Sequence, residues 1–359
     1  MLLFILFFII VFFTLVNIHS PYRKQMLLVF YLCLVSFALT GLRWNYGGDW
    51  DSYYDYFESI KELDFRNTGF EFGWVILSYI VKITTNSYTL FQFLVAGIFF
   101  FCITSSIKKL SALPIFSYLI YFATSNGGIS YVRTVFATCI ILYSLVFTKE
   151  KNIKKYLLTC FFAFSIHFSS FIALPIYWIY NNSISYRKYF LTFIACVVFF
   201  YLNGKMLLSD FSLLGPYVQY KLDKYISAQE TGEYFGGSIT VETALINYII
   251  KKSFIFIFLF MYCREALKQD TLFRGITNVY IAGTIFYCSV VPIAMQFGRM
   301  AGYMDGVEMF LIPLIYKYIP KNSNKLIFIF LVISMNFIRI NGHLDPNNPL
   351  IYNYHWILF

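Results

Sequence analysis

Residues 88–109 read YTLFQFLVAGIFFFCITSSIKK. A run of about twenty residues without a charge ends on two lysines. At 1.5 Å of rise per residue, such a helix is about 30 Å long, the thickness of a bilayer's hydrocarbon core. Working outward, similar runs recur near 2–18, 26–42, 113–124, 131–148, 188–204, 241–263, 275–294, 304–318 and 326–340. Across the chain 59% of residues are hydrophobic and 13% charged, against a charged share of about 25% in soluble domains. No water-soluble fold could hide that much apolar surface. The pattern predicts an all-α polytopic integral membrane protein, with 1–359 forming a single transmembrane domain. The run Met1–Asn17 has no basic residue ahead of it and no small-residue cleavage site, so it reads as a first span and not as a removed signal peptide.

The net charge of +10 excludes little by itself, but its distribution excludes nucleic acid as a partner. The basic residues cluster in short loops at Arg23–Lys24, Lys108–Lys109, Lys149 to Lys155, Arg187–Lys188, Arg264 to Arg274 and Lys317 to Lys325. Loops of that kind face the cytoplasm, which puts the N-terminus outside. Residues 156–180 are one apolar run with basic flanks on both sides, which a pair of short helices turning at about His167 satisfies. Residues 70–83, FEFGWVILSYIVKI, are too short for a normal span. The map then has about twelve crossings plus one re-entrant or interfacial segment. Of the carboxylates, Glu150, Glu265 and Asp270 fall inside and the rest fall outside. Seven scattered cysteines form no CxxC or Cys/His cluster, so neither disulfides nor zinc is expected. The 43 Phe and 31 Tyr read as lipid-facing and packing residues of an A/T-rich gene.

Two external loops stand out, 43–87 and 205–240. The first begins RWNYGGDWDSYYDYFES at Arg43. From Trp50 onward Asp51, Asp55, Glu58 and Glu62 fall on one helical face, and Trp50, Tyr53, Tyr54, Phe57 and Ile60 on the other. That pattern is an amphipathic helix on the membrane interface, its acidic face solvated. Asp49-Trp50-Asp51 matches the DxD tripeptide of metal-dependent sugar transferases, a frequent chance match; no metal and no cofactor is expected. Asp49 sits beside the Gly47–Gly48 turn, within short reach of Arg43. Glu71 opens the short apolar segment at a position that the helix dipole favours by itself. Arg133 opens the span at 131 after SNGGISYV, where amide groups, dipole and guanidinium together suit a diphosphate. Arg299 in QFGRMAGYMD repeats that arrangement. With Arg43 and Arg339 these are cations on the disfavoured side, for which an anionic ligand is the simplest explanation. His167, in SIHFSS, is an intramembrane ionisable group, of the class that can exchange a proton near neutrality. A packed histidine bonded to a nearby carbonyl is the plainer alternative. The loop 205–240 is long enough for a lid or a sugar-recognition element.

The ordered set R-W-N-Y-G-G-D-W-D-S-Y (Arg43 to Tyr53), Gly69-Phe70-Glu71, Y-V-R-T-V-F-A (Tyr131 to Ala137) and F-S-I-H-F-S-S (Phe164 to Ser170) resembles the EpsG/Wzy group of bacterial polysaccharide repeat-unit polymerases. The resemblance covers about residues 40–175, with weak support from the Arg299 loop. It implies a membrane glycosyltransferase of GT-C-like architecture on the outer, periplasmic face of the bacterial inner membrane. Its substrate would be an undecaprenyl-diphosphate-linked oligosaccharide among membrane lipids, and a chain-length regulator protein would be a partner. On that reading His167, Asp49 and Glu71, in that order, are candidate bases. Arg133 and Arg299 would hold diphosphate, with Arg43 and Tyr53 beside Asp49 in the substrate-binding loop.

Three other activities fit the same composition. A lipid-linked oligosaccharide flippase needs charges distributed along a path across the membrane, whereas here the unusual ones gather on one side. An O-antigen ligase would differ in its acceptor. A multi-span O-acyltransferase would place its histidine and arginine early in the chain, where no such pair occurs.

Overall fold

The computed structural model describes residues 2–46, 49–66, 68–129, 133–183, scattered positions from 187 to 198, 241–292, 295–343 and 355–356. The expected span at 188–204 and the loop 205–240 lie largely or wholly outside the described residues, as does the Gly47–Gly48 turn. The chain divides into two compact units, one of residues 1–177 and 308–359 and one of residues 178–307.

Nine of the first unit's helices are α1 (Leu2–Asn17), α2 (Tyr22–Gly41), α3 (Trp50–Ser59), α4 (Phe72–Thr85), α5 (Tyr88–Leu110), α6 (Pro114–Ser125), α7 (Arg133–Lys149), α8 (Ile153–Ile166) and the start of α9 (Ile176–Asn181). The quoted stretch becomes α5. Ser87 caps it by accepting from the Leu90 amide, and Lys108 and Lys109 close its last turn, where cations suit the dipole. Phe91, Val95, Phe99 and Ile103 are buried while Leu90, Leu94 and Phe101 are exposed. A helix apolar on every face is either a core helix or a membrane span, and the exposed leucines and Phe101 of α5 fit the span. Four helices among the described residues are long and apolar enough to cross a membrane: Tyr22–Gly41, Tyr88–Leu110, Val241–Tyr262 and Asn322–Asn341. Leu2–Asn17 and Phe72–Thr85 are apolar but shorter. Others of the twelve expected crossings are shorter still, such as the 12 residues of α6, which stops at the left-handed Asn126.

Side chains fix the helix directions. The Tyr22 hydroxyl donates to the Lys108 carbonyl (2.7 Å), and a Cβ on Gly41 would enter the Phe93 ring, so α2 and α5 are antiparallel. Lys149 Nζ donates to the Lys109 carbonyl (2.9 Å) and Phe101 meets Tyr143, so α7 runs with α5. Lys155 lies over the Phe147 ring, which turns α8 back. The unit therefore has a basic end, at Arg23, Lys108 and Lys149, and a loop end, at Arg43, Tyr88, Arg133 and His167. Helix α8 stops at His167, whose backbone is extended. A 3₁₀ segment, Phe168–Ala173, then doubles back, and Tyr156 Oη donates to the Ala173 carbonyl (2.6 Å). This is the paired turn expected at His167. Helix α4 meets Ser165 through Gly73, Phe91 through Trp74 and Glu58 through Lys82 (2.8 Å). Both of its ends thus sit at the loop end.

The unit is completed by α14 (Glu308–Tyr318) and α15 (Asn322–His343). Phe116 of α6 meets Tyr316 edge to face. The chain end returns to the first loop: Arg43–Trp44 pairs antiparallel with His355–Trp356.

The second unit holds α10 (Val241–Tyr262), α11 (Ala266–Gln269), α12 (Thr271–Val290) and α13 (Gly302–Asp305). Asp270 caps α12 by accepting from the Phe273 amide (3.0 Å). Lys252, buried on α10, pairs with Asp305 (3.0 Å). Tyr248 Oη also donates to Asp305 (2.8 Å) while its ring stacks on Tyr287.

Candidate functional site

The loop end of the first unit gathers most of the polar residues that the sequence singles out. Helix α3 forms as its spacing predicts. Trp50, Tyr53 and Phe57 are buried against Trp74, Tyr88 and Phe91, and Asp51, Asp55 and Glu58 are exposed. The helix ends at Ser59, so Glu62 lies beyond it. These acids form a solvated face, on which Glu58 pairs with Lys82. The two aspartates of the DxD tripeptide do different things. Asp51 faces solvent in the first turn, whereas Asp49 precedes the helix and accepts a hydrogen bond from Tyr53 Oη (3.1 Å).

Tyr53 carries the chain of contacts inward. Its hydroxyl also accepts from the Arg133 backbone N–H (3.2 Å), engaging one of the amides at the head of α7. The Arg133 guanidinium is ion-paired through Nη1 to Glu71 Oε2. It lies 4.6 Å from the centre of the Phe70 ring and 5.9 Å from that of Tyr53, a placement that aromatic faces favour. Among the described residues its buried Nε has no hydrogen-bond partner. The other oxygen of Glu71 accepts from the Phe168 N–H (3.0 Å). One carboxylate thus joins the arginine at residue 133 to the turn after His167.

His167 is half-buried at that turn. Its Nδ1 lies 2.8 Å from Ser169 Oγ and 3.3 Å from the Ser169 N–H. The amide can only donate, so Nδ1 of the neutral ring is the basic nitrogen. The approach of α4 to α8 depends on Gly73, where a Cβ would lie 2.2 Å from Ser165 Oγ. Any side chain there would push Glu71 away from the turn. Gly127 and Gly128, ahead of Arg133, both take positive φ, and a Cβ on Gly128 would strike Phe99.

Arg43 is placed differently from the other loop residues. It is 1% exposed, and its Nη1 donates to the Ile129 carbonyl (3.2 Å), tying the first loop to the one before Arg133. Turned to the orientation its neighbours require, the Gln92 amide donates to the Arg43 carbonyl and accepts from Trp50 Nε1, both at 3.1 Å. Burial raises the Tyr46 phenol above its ordinary range, against the opposing pull of Arg43. Arg299 belongs to the second unit, exposed on the 3₁₀ segment Met295–Ala301. Arg339 pairs with Glu308 (2.5 Å) and Asn336 (3.0 Å). The positive charges of Arg133 and Arg339, for which an anionic ligand was the simplest account, thus already have carboxylate partners within the chain.

Sequence reasoning missed Ser169, Phe70 and Glu308. Ser169 had a readable signal, a hydroxyl two residues after a histidine that ends a helix. The pairing of Arg43–Trp44 with the chain end had none.

A model described as the EpsG family matches residues 26–356. No curated protein and no solved structure matches the chain.

Proposed function

Because the chain belongs to the EpsG family, the family of Wzy-type polysaccharide polymerases, we propose that it lengthens a polysaccharide carried on undecaprenyl diphosphate at the outer face of the inner membrane. The observation that carries this reading is the single cluster made by Asp49, Tyr53, Glu71, Arg133 and the His167–Ser169 turn. It draws acid, base and cation from distant parts of the chain to one end of a membrane protein.

The growing glycan's anomeric carbon breaks its bond to the diphosphate oxygen and forms one to a hydroxyl of the next lipid-linked repeat unit. The hydroxyl's proton passes to His167 Nδ1, directly or across Ser169 Oγ, in the manner of general base catalysis. The leaving diphosphate gains negative charge as the bond breaks. Arg133 offsets that charge through the edge of its guanidinium that Glu71 does not occupy. Glu71 holds both partners in register, since it touches the arginine and the turn after the histidine. Asp49 and Tyr53 orient the sugar at the mouth. Arg43 supports the loop that carries Asp49. Arg299 is the second unit's candidate for an anionic group of the substrate.

The test is the length distribution of glycan made in cells lacking the native gene and complemented with variants. Arg133→Ala and His167→Ala should each leave single-repeat chains at normal protein levels. Wild-type ladders from both variants would remove these residues from the mechanism. In cells with no copy, repeat units trapped on the inner leaflet would identify a flippase instead.

A further inference from the structure

At the basic end of the first unit, α2 and α5 leave a groove of about 690 Å³ whose lining includes Arg23, Lys24 and Lys108 at its head and Leu27 and Phe30 along its wall. The head is built, not incidental. Tyr22 Oη donates to the Lys108 carbonyl (2.7 Å), which fixes the start of α2 beside the end of α5. The three cations therefore stand together, and none is in an ion pair among the described residues. A second groove of about 370 Å³ follows between the same helices, lined by Phe37, Gly97 and Phe101 among others. On α2, residues 23, 30 and 37 repeat every seven; on α5, 97, 101, 104 and 108 repeat by four and three. Each set is one helical stripe, so the two grooves lie along one seam.

From Lys108 to Gly97 the seam descends about 16 Å, the depth of one leaflet of a bilayer about 30 Å thick. A cationic head above an apolar lane of that depth is the shape of one anionic lipid. We propose that this seam binds an anionic glycerophospholipid, its phosphate against Arg23, Lys24 and Lys108 and one acyl chain along Leu27 and Phe30 toward Gly97. Basic pockets between spanning helices on the cytoplasmic side hold lipid headgroups in this way. The groove lies at the opposite end of α2 and α5 from the Arg133–Glu71 cluster, so it is separate from the polymerase site. The proposal rests on the membrane reading and not on the polymerase reading.

The test is native mass spectrometry of the full chain released from detergent after incubation with equal dioleoylphosphatidylglycerol and dioleoylphosphatidylethanolamine. The wild-type protein should keep the anionic lipid in preference. Arg23→Gln/Lys24→Gln/Lys108→Gln should lower its retention at least tenfold with the melting temperature unchanged. Gly97→Leu probes the lane, since among the described residues a Cβ there meets only Phe37, at 3.7 Å, and a larger side chain enters the groove. It should weaken retention of dioleoylphosphatidylglycerol while sparing the dioctanoyl form. Equal retention of the two headgroups by wild type, or undiminished retention by the triple variant, would overturn the proposal. A lipid-free dimer broken by Gly97→Leu would also overturn it, by giving the seam to a second copy. Glycan ladders are read independently, so polymerisation and lipid binding can fail separately.

Discussion

The two ends of the first unit carry charge in opposite ways. At the loop end Arg133 meets Glu71, Lys82 meets Glu58 and Arg339 meets Glu308, and the arginines are half-buried or buried. At the basic end Lys149, Lys151, Lys154 and Lys155 surround one carboxylate, Glu150, and all five are exposed. The difference follows from burial. A charge removed from water needs a partner inside the protein, whereas an exposed one is stabilised by water or by headgroups outside it. Arg133 and Arg339, drawn wholly or partly out of solvent, are each matched with a carboxylate, and the loop end is also where the residues suited to chemistry converge. The lysines from 149 to 155, which the chain leaves in excess over acids, stand exposed.

The sharpest way to break that comparison is to remove one partner from the most buried pair. Side chains of Arg339 and Glu308 are 8% and 4% exposed. Glu308→Ala strands a guanidinium, and losing one member of a buried pair costs about 3–5 kcal/mol. Thermal unfolding in detergent should show a large fall in melting temperature, with Glu308→Gln intermediate because its amide oxygen still accepts. An unchanged melting temperature in Glu308→Ala would mean that this end does not rely on paired charge.

A smaller change sharpens the comparison within the cluster. Tyr53→Phe keeps the ring against Trp74 (5.1 Å between centres) but deletes the hydroxyl between Asp49 and the Arg133 amide. A single hydrogen-bonding group of this kind is worth about 1 kcal/mol. Stability should fall by that order, and glycan chains should shorten without collapsing to single repeats. Full-length chains from Tyr53→Phe would detach Asp49 and Tyr53 from substrate orientation.

The sequence made some of this legible and hid the rest, for separable reasons. Helix α5, the break at His167 and the amphipathic face of α3 are local: length, periodicity and flanking lysines encode them within one window. The convergence of Glu71 with Arg133 is not local, because 62 positions separate them, and only the ordered motifs hinted that they belong together. Arg339 is legible as a cation on the disfavoured side, but its partner, Glu308, lies 31 positions away and nothing local ties the two. Arg43 reads in sequence as a cation for an anionic ligand, whereas it is 1% exposed, its guanidinium donating to the Ile129 carbonyl and its backbone pairing with Trp356, contacts 86 and more positions away that no local pattern announces. Arg299 was read with Arg133 because both open helices after glycine-bearing loops, yet it falls in a different compact unit.

The weakest expected effect tests the other half of the comparison. Lys149 is exposed, and its ammonium donates to the Lys109 carbonyl at the end of α5. That bond competes with water on both sides, and exposed substitutions of this type move stability by no more than about 0.5 kcal/mol. Lys149→Gln should therefore melt with wild type in neutral detergent. With the basic end on the cytoplasmic side, as the proposed function requires, its cost should appear in orientation instead, because cations in such loops hold them there. A reporter fused after Glu150 would show the tail of α7 less strictly retained as further lysines of the 149–155 cluster are replaced. If Lys149→Gln destabilised the protein in detergent as much as Tyr53→Phe, the basic end would be structural in the same sense as the loop end. The contrast between paired and unpaired charge would then lose its meaning.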